Sequence, residues 1–216
     1  MNPEVAAKVS NFFNQYKPQT LKKGQVLING GKDPAGIFYL VSGQVKQYAV
    51  SQKGDNLTVN IFKPAAFFPM SWAINKSPNN FYFEALTDVE IRLAPVEDVL
   101  EFVKKNPDVL FDLTKRLYSG MDGVLSRMVF LMSGEASKRV LTELLISAKR
   151  FGQINPKDNS ITLKVTEQEL ANQTGMARET ISRELTKLKN KQLLLLQNKQ
   201  LIIPNLVELE SELSAL

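Results

Sequence analysis

The chain has 216 residues, 44% of them hydrophobic, with 27 Lys and Arg against 22 Asp and Glu for a net charge of +5, and it contains no cysteine and no histidine. This length and composition suit a globular chain of two modest domains and exclude a disordered or disulfide-stapled one. No apolar stretch has the length of a membrane span, and MNPEVAAKVSNFFNQYK lacks a basic leader followed by an apolar core, so no membrane partner and a cytoplasmic location are expected.

In chain order, the first half, roughly Pro18 to Pro95, alternates short β-rich runs with turn residues. Leu21, Val26, Leu27 and Ile28 precede Gly30-Gly31, Ile37 to Val41 precedes Ser42-Gly43, Val45 to Val50 precedes Lys53-Gly54-Asp55, and Leu57 to Phe62 precedes Pro64. That spacing predicts a small antiparallel barrel or roll. After Pro95 the period becomes helical: Val96, Val99, Leu100 and Val103 mark a short helix ending near Asn106-Pro107, and a long helix follows over about 108–132.

On this long helix, Leu110, Thr114, Leu117, Met121, Val124, Met128 and Leu131 alternate steps of four and three, the spacing of a coiled-coil seam. Phe111, Leu113, Leu125 and Val129 form a second apolar edge. Two apolar edges imply two partners: the chain's own roll and the same helix of a second copy. Burial of both edges within one monomer is the other reading the periodicity allows. Ser133-Gly134 breaks the pattern before a helix over about 135–150, so the expected division is 1–133 and 134–216.

Thr166 to Asn190 is the most informative stretch. Thr166 followed by Glu169 spells a capping box, making 167–174 a helix; Gly175 permits a sharp exit, and the small Ala171 lets a second helix cross closely. Met176, Ile181, Leu185 and Leu188 then mark the buried side of that second helix, leaving Arg178, Glu179, Ser182 and Arg183 outward near its start. This is the pattern of a DNA-binding helix-turn-helix. Arginine donates twice to guanine O6 and N7, and glutamate accepts from cytosine N4, so Arg178, Glu179 and Arg183 are the expected base readers. Thr180 and Ser182 can add base-edge or phosphate bonds, and Lys187 and Lys189 suit phosphate. Leu193 to Leu196 and Leu201 to Ile203 flank the polar turn QNKQ, predicting a small hairpin, or wing. Between Lys138 and Lys199 there are twelve Lys and Arg against six Asp and Glu, the sign that phosphate attraction requires.

GMARETISRELTKLKNKQLL resembles the DNA-binding domain of the CRP/FNR family of bacterial transcription regulators, and RETISR is its specific part. Upstream, LKKGQVLINGGKDPAGIFYLVSGQVKQYAV and FEALTDVEIRLAPVEDVLEFVKKNPDVL resemble that family's cyclic-nucleotide-binding-type roll. The resemblance runs from about Leu21 to about Ile203. It implies an α+β chain with an N-terminal antiparallel β-roll, a long dimerisation helix and a C-terminal winged helix-turn-helix. It further implies a homodimer that binds a palindromic site on double-stranded DNA, with a TGA core and a guanine under Arg178 just outside it, and that acts on RNA polymerase. Ala177 departs from relatives that place a hydroxyl cap there.

The control input is where the residues depart from the family. Lacking Cys and His, the chain excludes thiolate-held iron–sulfur clusters and thiol switches, leaves no ligand for a His-bound haem, and gives zinc only carboxylates, so no cofactor is expected. Nucleotide-binding relatives carry Gly-Glu for the ribose and Arg-Ser or Arg-Thr for the phosphate. KPAAFFPMSWAINKSPNNFYFEAL has Pro69-Met70 and Phe81-Tyr82 nearest those places, with no cation for a phosphate, so cyclic nucleotide is not expected. Phe67, Phe68, Met70, Trp72, Phe81, Tyr82 and Phe83 form either an apolar pocket for an unidentified small molecule or a filled core. A regulator without an effector is the second reading. A binding module or enzyme without DNA function is the third; without His or Cys, only carboxylate, Lys, Ser or Tyr chemistry remains, and no such motif is evident.

Overall fold

The computed structural model describes residues 2–52, 54–133, 135–197 and 200–215. Helix α1 (Pro3–Phe13) starts where Asn2 Oδ1 accepts the amide of Glu4, with Pro3 preset for the first turn, and it buries Val5, Val9 and Phe13. Strands β1 (Pro18–Leu21), β2 (Val26–Ile28), β3 (Ile37–Ser42), β4 (Val45–Val50), β5 (Asn56–Phe62) and β6 (Phe67–Phe68) lead to the short helix α2 (Met70–Asn75). Strands β7 (Tyr82–Ala85) and β8 (Val89–Ala94) and helices α3 (Val96–Lys105) and α4 (Pro107–Ser133) follow. Among the described residues, no helix is long and apolar enough to cross a membrane.

The roll consists of two antiparallel sheets, ordered β1-β8-β3-β6 and β2-β7-β4-β5. Residues from both sheets, among them Ile28, Phe38, Leu40, Val45, Phe68, Phe83 and Ile91, form one cluster. A second cluster takes the other face of the first sheet, through Ile37, Tyr39 and Phe67, and joins it to α1, α2, α3 and the start of α4 at Val109. Strand alternation sends neighbouring side chains to opposite faces, which is why Phe67 and Phe68 belong to different clusters.

Contacts divide the chain into Met1–Tyr118 and Ser119–Leu216. The division falls inside α4, earlier than the break expected at Ser133-Gly134, and Gly134 lies outside the described residues. Its physical reason is a bidentate pair: Arg127 donates from Nε and Nη2, each at 2.8 Å, to the buried Glu143, tying the far part of α4 to helix α5 (Ala136–Phe151). Nearer its start, α4 presents Val109 and Leu113 to the roll, and the Arg116 guanidinium sits 5.5 Å from the Phe67 ring centre. Of the expected second edge, Leu113 packs there, while Phe111, Leu125 and Val129 are exposed.

The second unit continues with β9 (Gln153–Ile154), β10 (Ile161–Leu163), α6 (Glu167–Thr174), α7 (Arg178–Asn190), β11 (Leu195–Gln197), β12 (Gln200–Ile203) and α8 (Leu206–Ala215). Its sheet is ordered β11-β12-β10-β9. One cluster, including Val140, Leu144, Leu163, Leu170, Ile181, Leu185, Ile203 and Leu209, holds its helices to that sheet. Burial of such side chains at ~25 cal/mol per Å² of apolar surface dominates the stability of a unit this size.

Candidate nucleic-acid interface

Helix α6 is fixed by its start. Thr166 Oγ1 accepts the Glu169 amide at 3.1 Å while the Thr166 amide donates to Glu169 Oε2 at 2.7 Å, the reciprocal capping box the spacing predicts. At its end Gly175 adopts φ +66°, a left-handed conformation that costs other residues more, and the Met176 amide donates to the Ala171 carbonyl. The chain then turns into α7, whose Ile181, Leu185 and Leu188 are buried against Leu170 and Ala171. Ala177 caps α7 with no side-chain hydrogen bond, in keeping with its missing hydroxyl.

With one face of α7 buried, the opposite face carries the expected reading residues. Arg178, Glu179 and Arg183 are exposed and Ser182 is half-buried. Thr180 lies to the side, half-buried, and its Oγ1 accepts from Arg183 Nη2 at 3.3 Å. Lys187 and Lys189 stand in the last turn, where cations also complement the helix dipole. The structure therefore brings Arg178, Glu179, Ser182 and Arg183 together on one surface, with Thr180 and the lysines at its margin.

Two acidic partners stand beside these cations: Glu184, three residues before Lys187 on the same helix, and Glu167, which has no local sequence signal. Glu184 is buried and accepts from Lys187 Nζ at 2.7 Å, so part of that lysine's charge is balanced. Glu167, the first residue of α6, lies 3.2 Å from Arg178 Nε. Beside α7, β11 and β12 pair from Leu195↔Ile202 to Gln197↔Gln200 and form the expected hairpin; residues 198 and 199 of its turn lie outside the described residues. Leu194, Leu201 and Ile203 are buried, whereas Leu195 and Leu196 are exposed.

On α4 the expected seam is open. Leu110, Leu117, Met121, Val124 and Met128 are all exposed, Leu117 by 62%. Thr114 instead donates to the Leu110 carbonyl, and the side chain of Leu131 lies outside the described residues.

The seven aromatic and apolar residues around the departed phosphate cassette do not line one space. Phe68 stacks on Phe62 at 4.5 Å and on Phe83 at 5.3 Å inside the roll, with Phe81 packed against the same cluster. Phe67, Met70 and Trp72 belong to the cluster on the other face, where Trp72 Nε1 donates to Asp33 Oδ1 at 3.3 Å. Tyr82 stacks on Tyr48 at 5.3 Å. Beside them Lys46 and Glu84 pair at 3.0 Å, and burial, followed by that glutamate's charge, raises the Tyr48 phenol above its usual range. Among the described residues, no cluster of three or more acidic side chains is placed to hold a metal ion.

A β-roll followed by a long helix and a winged helix-turn-helix with an exposed arginine face defines a DNA-binding regulator. The comparisons agree: residues 18–106 match the cyclic nucleotide-binding domain and residues 138–212 the Crp-like helix-turn-helix domain. The chain is 25% identical over 196 residues to the global nitrogen regulator of Nostoc sp., covering 90% of this chain and 88% of that protein. It is 22% identical over 205 residues to the fumarate and nitrate reduction regulatory protein of Escherichia coli, covering 95% and 81%. Its fold is similar to that of a CooA mutant from Carboxydothermus hydrogenoformans, with a TM-score of 0.79 at 20% identity over 94% and 90% of the two chains. It is likewise similar to a CRP/FNR-family transcriptional regulator from Thermus thermophilus, with a TM-score of 0.70 at 23% identity over 93% and 99%. The chain belongs to the CRP/FNR family of transcription regulators and is a DNA-binding regulator of that type.

Proposed function

We propose that this regulator works as a homodimer on a palindromic operator, reads bases with Arg178, Glu179 and Arg183, and operates without a cyclic nucleotide or a metal cofactor. The observation that carries the reading is the two-sided α7: Ile181, Leu185 and Leu188 are buried, and the arginines stand on the opposite, exposed face. The open stripe on α4 supports pairing with a second copy, since five large apolar side chains in one row are costly to leave in water. The ring stacks through Phe68 support a filled roll, the reading that favours a regulator without an effector; a small molecule would have to displace packed rings. Action on RNA polymerase rests on the family resemblance.

The test begins with selecting the preferred duplex from random sequence with the unmodified protein. Arg183→Ala should then weaken that duplex by ~1–3 kcal/mol and relax the preference at one position of each half-site. Binding of selected and random duplexes as by the unmodified protein would refute the assigned reading face.

A further inference from the structure

Arg178 and Glu167 are eleven residues apart, yet the turn at Gly175 brings the starts of α7 and α6 together, with Arg178 Nε 3.2 Å from Glu167 Oε2. The contact is not needed to begin α6, because the capping box uses Thr166 and Glu169. In solution it is a largely exposed ion pair, a kind that contributes little. Docking changes its surroundings. In a helix-turn-helix the start of the second helix approaches base edges while the first helix crosses the phosphate backbone, so both residues lose water and Glu167 meets phosphates. A carboxylate there is repelled unless a cation shares its charge.

An arginine presents its N–H groups as a rigid planar fork. With Nε donating to Glu167, the two Nη groups remain in one plane for guanine O6 and N7. We infer that Glu167 is a positioning residue for base recognition: it holds the Arg178 guanidinium end-on toward the base edge, keeps it from a neighbouring phosphate, and so sets how strictly the base pair beneath Arg178 is read. The inference rests on Arg178 being a base reader, and its chemistry is that of a buttressed arginine facing a guanine.

Removing the carboxylate therefore has opposite effects on two quantities. Glu167→Ala lowers the preference for guanine over other bases at the Arg178 position by about threefold, the scale of one surface ion pair. Affinity for random duplex rises, because a negative charge leaves the interface and Arg178 is released to phosphate, which also steepens the salt dependence. Glu167→Gln, which keeps an acceptor oxygen, retains part of the preference.

Fluorescence-anisotropy competition, with the selected duplex and versions altered only at the outer base pair, measures this for the unmodified chain, Glu167→Ala, Glu167→Gln, Arg178→Ala and the Glu167→Ala/Arg178→Ala double variant. The expected result is reduced discrimination in Glu167→Ala with random affinity undiminished, and no added effect of Glu167→Ala once Arg178 is gone. Discrimination unchanged in Glu167→Ala but lost in Arg178→Ala overturns the buttress and leaves the base reader standing. Discrimination unchanged in Arg178→Ala overturns both. An equal loss from Glu167→Ala with or without Arg178 makes Glu167 merely structural and overturns the proposal; if Glu167→Ala lowers the melting temperature, Glu167→Gln supplies the same comparison.

Discussion

Replacing Glu143 with glutamine should destabilise the second unit far more than a surface substitution would. The Glu143 side chain is 3% exposed, accepts two hydrogen bonds from Arg127, and faces a second arginine, Arg150. Burial, followed by the charge of Arg127, pulls the Arg150 guanidinium below its usual range, and Glu143 partly offsets this. Glutamine keeps the shape but leaves two half-buried arginines without their shared carboxylate. Breaking a buried pair by removing one partner costs ~3–5 kcal/mol; because Arg127 keeps 22% exposure, water recovers part of this, and about 2–3 kcal/mol is expected. For a unit the size of Ser119–Leu216, that corresponds to a melting transition lowered by roughly 10–20 °C. Differential scanning calorimetry with far-ultraviolet circular dichroism measures it. The double change Arg127→Met/Glu143→Leu should recover part of the loss, since an apolar pair replaces the bidentate charges and the Arg127 charge no longer opposes Arg150, which still lacks the carboxylate. A shift below about 4 °C for Glu143→Gln would mean a loss under ~1 kcal/mol and a pair that behaves as though in water, refuting the reasoning.

Leu117→Glu on the open α4 stripe should convert a dimer to monomer and sharply weaken operator binding; sedimentation at micromolar concentration decides, and an unmodified chain that is monomeric free and on DNA would sink the seam. Tyr16 donates to Asp98 Oδ2 at 2.9 Å, and burial, then that bond and charge, push its phenol up to about 12. Because the folded value lies above the ordinary phenol value of 10.0, its stabilising contribution is complete below pH 10.0 and lost as pH rises to about 12; Tyr16→Phe should flatten this alkaline loss in urea melts, and an identical profile would contradict it. Cyclic AMP should leave the melting temperature and operator affinity unchanged, although a true ligand at 100 times its Kd would add ~2.7 kcal/mol. A saturable shift would restore the nucleotide reading.

Elements with local chemical signals were legible in the sequence. The Thr166/Glu169 box, Gly175 and the spacing of Ile181, Leu185 and Leu188 are all short-range, and they define α6, the turn and the face of α7. Helix α1 lies outside the expected elements, although Asn2-Pro3 is a start signal and Val5, Val9 and Phe13 recur at steps of four; α8 likewise follows Asn205, whose Oδ1 accepts the Val207 amide. Helix α2 is short and its Pro69 cap offers no side-chain acceptor, so nothing local announces it. The aromatic run around Phe67 and Phe68 reads as one patch only if the period of two is ignored; as a strand it must serve two clusters. Glu167 and Glu143 gain their partners from a chain turn and a helix crossing, which no windowed pattern contains, whereas Glu184 and Lys187 pair at i,i+3 within α7.

The division at Tyr118/Ser119 also sorts the chain's chromophores. Trp72 and the tyrosines, at positions 16, 39, 48, 82 and 118, all belong to the first unit, and the second has none. Intrinsic tryptophan and tyrosine emission therefore reports the roll and the start of α4 and is silent about the helix-turn-helix. Backbone ellipticity sees both. Subtracting one normalised melt from the other isolates the DNA-binding unit in the intact chain, and a tryptophan placed in the wing of a Trp72→Phe chain would be its single tryptophan reporter.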